Sequence, residues 1–246
     1  NSIMKMTFNP DFGQVEADPS VLNLTAFETF YDERRPFFSE GAEFFSQRLS
    51  LFHSRRIGRA PSYNLPEEGE LKDAPEYTTI LGATKVMGNT ASGINYGLIG
   101  AITAEESATL VIDSADVQSV KDIVIEPRTN YTIGRFEVPM INDVSRVGLM
   151  VTDVSRKNNP GATVAGMDWN LGFLDNRLFT NGQIVRSDAN NITGNAVRFN
   201  LSYMDPFWWM ARFWYGYYDD EFDVNDLGYL RRNDMNWVGG RVEFRK

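Results

Sequence analysis

Residues 196–204 read Ala196-Val197-Arg198-Phe199-Asn200-Leu201-Ser202-Tyr203-Met204, a strict alternation of large apolar and polar side chains. Successive side chains on a β-strand point to opposite faces, so Val197, Phe199, Leu201 and Tyr203 share one face and Arg198, Asn200 and Ser202 the other. The same period runs through residues 163–173, where Ala165, Met167, Trp169, Leu171 and Phe173 oppose Gly166, Asp168, Asn170 and Gly172. It returns in 207–217: Phe207, Trp209, Ala211, Phe213, Tyr215 and Tyr217 line one face, with Arg212 and Gly216 on the other. Near the end Val238, Val242 and Phe244 alternate with Arg241, Glu243 and Arg245. Weaker versions mark residues 78–86, 92–103, 128–138, 146–154 and 178–186. The alternation therefore predicts about nine antiparallel strands over residues 76–246.

Strand length decides what kind of β protein this is. Soluble strands average ~5–6 residues, while a tilted membrane strand needs ~9–11, and these stretches reach the longer figure. The connectors are uneven. Asp175-Asn176 and Asp205-Pro206 read as tight turns, whereas 104–126, 186–194 and 219–234 read as long polar loops. The expected fold is all-β, an antiparallel up-and-down transmembrane β-barrel present in part. In it Asp168, Asn170, Arg198, Asn200, Arg212, Arg241, Glu243 and Arg245 face the lumen. Trp169, Phe199, Leu201, Phe207, Trp209, Phe213, Tyr215 and Tyr217 face lipid, and Trp208, Tyr218 and Trp237 join the interfacial girdles. A soluble sandwich would turn its polar face to bulk water instead.

Residues 1–75 have a different texture. A short strand (Ile3 to Phe8) precedes loop signals at Asn9-Pro10-Asp11, residues 25–48 predict one or two short helices interrupted by Pro36, and 55–75 reads as loop. Glu33, Arg34, Arg35, Phe37, Phe38 and Glu40 make this a charged, aromatic, plug-like segment. The 246 residues carry a net charge of −9, which argues against a nucleic-acid partner. There is no cysteine, which removes disulfides, thiolate metal sites and thiol catalysis. No run approaches the ~20 apolar residues of a membrane helix, as expected if strands do the crossing. A chain that starts at Asn1 without a leader and stops at Lys246 in mid-strand is expected to be a fragment.

Asn9-Pro10-Asp11-Phe12-Gly13-Gln14-Val15-Glu16-Ala17-Asp18 with Asn23-Leu24-Thr25 resembles the DUF5916 family of bacterial outer-membrane β-barrel proteins. So do Glu33-Arg34-Arg35-Pro36-Phe37-Phe38, Ser54-Arg55-Arg56-Ile57-Gly58 and, further on, Phe173-Leu174-Asp175-Asn176-Arg177. The resemblance implies the opening part of a longer barrel in the outer membrane. In the family a carbohydrate-binding-like sandwich, without a counterpart in these residues, usually precedes it. It supplies no catalytic residues.

Little else points to chemistry. Glu28, Asp32, Glu33, Glu40 and Glu43 cluster, yet Arg34 and Arg35 beside them read as salt-bridge partners rather than as the setting of an acid–base pair. His53 is the only histidine, too few for a transition-metal site or a serine triad. Asp219, Asp220, Asp223 and Asp226 offer oxygen ligands for calcium but lack the glycine and distal glutamate of an EF-hand. The expectation is a channel, transporter or surface scaffold without cofactor, partnered by the lipid bilayer and by glycans or small solutes. The alternative is a glycan-binding or glycan-processing surface protein whose barrel is its anchor.

Overall fold

The computed structural model describes residues 1–10, 30–66, 68–114 and 117–244. Its elements are β1 (Ser2–Phe8), α1 (Pro36–Ser39), α2 (Ala42–Phe45), β2 (Glu70–Lys72), β3 (Ile80–Asn89), β4 (Asn95–Thr103), β5 (Glu106–Ser114), β6 (Val117–Glu126) and β7 (Thr129–Met140). Then come β8 (Asn142–Arg156), β9 (Ala162–Phe173), β10 (Leu178–Ala189), β11 (Ile192–Met204), β12 (Trp209–Tyr218) and β13 (Met235–Phe244). Ten strands form one antiparallel sheet in the order β1-β3-β4-β7-β8-β9-β10-β11-β12-β13, and β2, β5 and β6 form a small second sheet. These ten are the short first strand and the nine stretches marked by the alternation. Among the described residues β1 and β13 do not pair with each other, so the sheet is open.

Three expectations about connectors are corrected. Within 104–126, residues 106–114 and 117–126 are no loop but the antiparallel pair β5 and β6, and β2 inside 55–75 pairs with β5. Residues 186–194 are mostly strand. β10 and β11 run on to a two-residue turn at Asn190 and Asn191, both at positive φ (53° and 64°), as a hairpin turn of matching twist requires. Pro36 does not interrupt a helix. It opens α1, where its missing N–H costs nothing. Residues 25–29 and the motif at 11–25 lie outside the described residues.

The two faces of the sheet differ. Residues 30–58 lie across one of them, and the apolar core sits in between: Phe38, Phe45, Leu49, Leu51 and Ile57 pack with Ile99, Ile133, Met150, Val185 and Ala196 of the strands. Glycines make the contact close. A side chain at Gly97 would strike Phe45, one at Gly166 would strike Leu51, and one at Gly194 the backbone of Phe222. Burying each large aliphatic or aromatic side chain contributes about 1.5–3 kcal/mol, so this face holds the fold together. The loop at 219–234 closes the layer from the other side, burying Phe222, Val224 and Leu227. It ties down the segment through backbone bonds from His53 to Leu227 and from Tyr229 to Ser50.

The opposite face is bare. On β7 Ile133 is 0% exposed while Phe136 is 54% exposed, and Leu98, Leu149, Met167, Ile184, Phe213 and Val242 are likewise exposed. Glycine and tryptophan are repeatedly paired across strands. Trp169 lies on Gly182, Trp237 on Gly216 and Trp214 on Gly239, in each case the residue directly opposite in the register. The indole fills the space that the missing side chain leaves.

Candidate functional site

The register sorts the charged and amide side chains cleanly. Asp168 and Asn170 on β9, Arg198 and Asn200 on β11, Arg212 on β12, and Arg241 and Glu243 on β13 all lie on the face that carries residues 30–58. Trp169, Phe199, Leu201, Trp209, Phe213, Tyr215 and Tyr217 lie on the bare face. Arg245 is outside the described residues. Phe207 and Trp208 correct the expected strand: both sit in the turn before β12, strongly exposed. Tyr218 and Trp237 correct the girdle. They pack edge to face on the covered side, ring centroids 5.0 Å apart, with Tyr218 buried.

The covered face is organised around ion pairs that cross it. Arg135 on β7 is buried and reaches over β8 to Asp168 on β9, its two terminal nitrogens donating to the two carboxylate oxygens at 2.8 and 3.1 Å. Gln47, just after α2, donates to the same carboxylate at 2.5 Å, and the Phe44 ring lies 5.6 Å from the guanidinium. Glu137 takes a second contact from Arg135 and is flanked by Arg146 and by Asn95. One strand further on, directly opposite Asp168, Gln183 holds the segment by both ends of its amide: its oxygen accepts from Leu49 N at 3.0 Å and its nitrogen donates to Leu49 O at 3.1 Å.

The plug-like segment carries its own buried pair. Arg35 donates to both oxygens of Glu33 and to the carbonyls of Ile57 and Ser54, and Ser54 Oγ donates to Glu33. Burial pushes the Glu33 carboxyl up, but the hydrogen bonds and charge of Arg35, with Ser54, outweigh it and hold Glu33 below the ordinary carboxylate range. Phe38 is buried beneath the Arg35 guanidinium, 4.5 Å from its ring centroid. Lys85 of β3 donates to the carbonyls of Phe37 and Glu40 at 2.5 Å each, anchoring the short helix α1. Glu40 pairs with Lys5 of β1, which draws its pKa down, and Arg34 is exposed.

The acidic loop uses its carboxylates on its own neighbours. Asp226 is taken by Arg156, Asp219 accepts from Glu221 N, and Asp223 accepts from Asn225 N. Among the described residues no three Asp, Glu, His or Cys side chains converge to hold a metal ion. Hydrogen bonds inside the loop, the largest from Glu221 N, keep Asp219 below its usual pKa. The calcium candidates are therefore loop-building residues.

Several residues central to this face were not singled out from sequence: Arg135, Gln47, Asn181, Gln183, Arg146 and Arg156. Asn181 had a signal. A hairpin drawn about Asp175-Asn176 sets Asn181 opposite Asn170, as observed. Arg135 shares the phase of Tyr131 and Ile133, so a charge among buried positions was its mark. Gln47 had none, because its partner is 121 residues away.

No curated protein and no solved structure matches the chain. The family model described as a domain of unknown function (DUF5916) matches residues 2–246, essentially its whole length. The chain belongs to the DUF5916 family.

Proposed function

We propose that these strands are wall of an outer-membrane β-barrel, with residues 30–58 lodged inside as a plug and the family's role one of solute passage or surface scaffolding. The observation that carries this is the bare face. A ten-stranded sheet turns Leu98, Phe136, Leu149, Met167, Ile184 and Phe213 outward with no layer of described residues packed over them, while its charged face is covered. Soluble proteins rarely leave so much apolar surface open, and a lipid bilayer supplies the missing solvent. The turns after β3, β7, β9 and β11 are all short, while the three large excursions, after β1, β4 and β12, leave from the other end beside the short turns after β8 and β10, which fits the unequal rims of such barrels.

The test is where the whole protein resides. Expressed in a Gram-negative host with its native export signal, it should sediment with outer membranes, resist an alkaline wash and need detergent for release. Recovery in the soluble periplasmic fraction without detergent would sink the proposal.

A further inference from the structure

Two arginines line a cavity of about 270 Å³ between the plug-like segment and the covered faces of β9, β10 and β11. Arg48 is exposed, and Arg198 of β11 is half-buried. Neither has a carboxylate partner among the described residues. Arg198 donates to Arg48 O at 3.3 Å and lays its guanidinium 5.8 Å from the Trp237 ring centroid, which leaves most of its five donors open. The one acid in the lining, Asp168, is already engaged, because Arg135 and Gln47 occupy both of its oxygens. Asn181, also in the lining, accepts from Asn200 through Oδ1 at 3.2 Å, and its own N–H groups have no acceptor among the described residues.

The surplus of positive charge extends beyond the cavity. Arg198 stands opposite Gly216 of β12, and Arg212, four residues from Gly216 on the same face, also lacks a carboxylate partner among the described residues. Arg212 is directly opposite Arg241 of β13, whose own partner is Glu243. Like charges so placed destabilise a sheet unless a counter-charge lies near. The chain as a whole carries −9, so this basic face is a local arrangement rather than a reflection of composition. A cleft lined by one sign of charge gathers ions of the other.

We infer that the cavity binds an oxyanion, the carboxylate or phosphate group of a small solute, held between the Arg48 and Arg198 guanidiniums with Asn181 donating beside them. A guanidinium presents its N–H groups as a fork that matches either group. The volume, just under the ~300–1,000 Å³ of ordinary small-molecule pockets, limits the solute to a compact one. Guanidiniums along a wall are also a means of selecting anions for passage. The inference deepens the proposed function by naming the class of solute, and rests on that reading only for its biological setting.

The experiment is calorimetric titration of the whole protein, detergent-extracted or soluble as fractionation dictates. The probes are inorganic phosphate, succinate and citrate, with glucose and spermidine as neutral and cationic controls. At least one oxyanion should bind saturably, and more weakly as sodium chloride is added, while neither control binds. Phosphate against succinate tells which group the fork takes. Arg48→Glu should abolish binding; the position is exposed, and the backbone carbonyl that Arg198 uses is unchanged. Arg198→Gln should weaken binding about tenfold or more. Arg212→Gln, about 13 Å away along the sheet and beyond a Debye length at physiological salt, should leave the affinity nearly unchanged. If Arg198→Gln fails to fold, Arg48→Glu decides the matter. The inference is overturned if no oxyanion binds the wild-type protein, if glucose or spermidine binds in its place, or if folded Arg48→Glu binds as well as wild type. It is overturned too if Arg212→Gln costs as much affinity as Arg198→Gln, which would place the anion elsewhere. A membrane-located protein that binds no oxyanion loses the site and keeps the barrel. A soluble protein that binds one loses the barrel and keeps the site.

Discussion

Arg135 and Asp168 form a two-pronged ion pair although a whole strand, β8, separates theirs. Gly148 lets them meet. It lies directly opposite Asp168, and a methyl group there would stand 2.8 Å from a carboxylate oxygen. With Arg135 buried, removing the acid leaves a stranded charge. Asp168→Ala should cost ~3–5 kcal/mol, and Gly148→Ala ~1–3 kcal/mol by crowding the same carboxylate. The double variant should cost less than the sum, because both act on one pair. Urea melts of the four proteins check this.

The bare face gives a second prediction. Leu201→Arg or Phe213→Arg should lower stability in a bilayer by ~2–4 kcal/mol near the midplane, and by far less near the rims. Arg212→Ala, on the opposite face, should leave folding nearly unchanged. Folding yields into lipid vesicles, read by heat-modified gel mobility, report the difference.

Acid should loosen residues 30–58. Glu33 is depressed in the folded chain, so its contribution is fully present above its unfolded pKa, near 4.5, and is lost as pH falls through the lower folded value. Protease cleavage within residues 30–58 should therefore accelerate below about pH 4.5. Glu33→Gln should be cleaved faster at neutral pH and respond less to acid.

The loop at 219–234 should be linkable to residues 30–58. Ser50 and Tyr229 form an isolated antiparallel bridge, so their Cα atoms fall in the ~4.4–6.8 Å range a disulfide spans. The Ser50→Cys/Tyr229→Cys protein, otherwise free of cysteine, should oxidise readily and show slower proteolysis within residues 30–58. No cross-link under oxidant would mean the loop does not hold the segment there.

The ten-stranded sheet was legible because period two is a local signal, written within each strand by residues such as Val197, Phe199 and Leu201. β5 and β6 were not. Their Glu106, Lys121 and Asp122 resemble a solvated loop, and the strand that extends them into a sheet, β2, is only three residues long. The sorting of Asp168 and Asn170 from Trp169 followed from alternation alone. Their partners did not, because Gln47–Asp168 and Leu49–Gln183 span 121 and 134 residues and depend on how a loop-like segment lies across the sheet.

The tryptophans seated on glycines have a consequence for assembly. Alternation forbids a one-residue slip between strands, since every side chain would change face. It does not forbid a slip of two. For β12 against β13, a two-residue shift one way brings Trp237 opposite Tyr218 and wastes Gly239 against Gly216. The other way, Trp237 meets Trp214. Either shift collides large rings and leaves holes elsewhere. Glycine and indole thus act as a vernier, reading the offset that hydrophobicity cannot see, so each incoming strand locks at one position as the sheet is laid down.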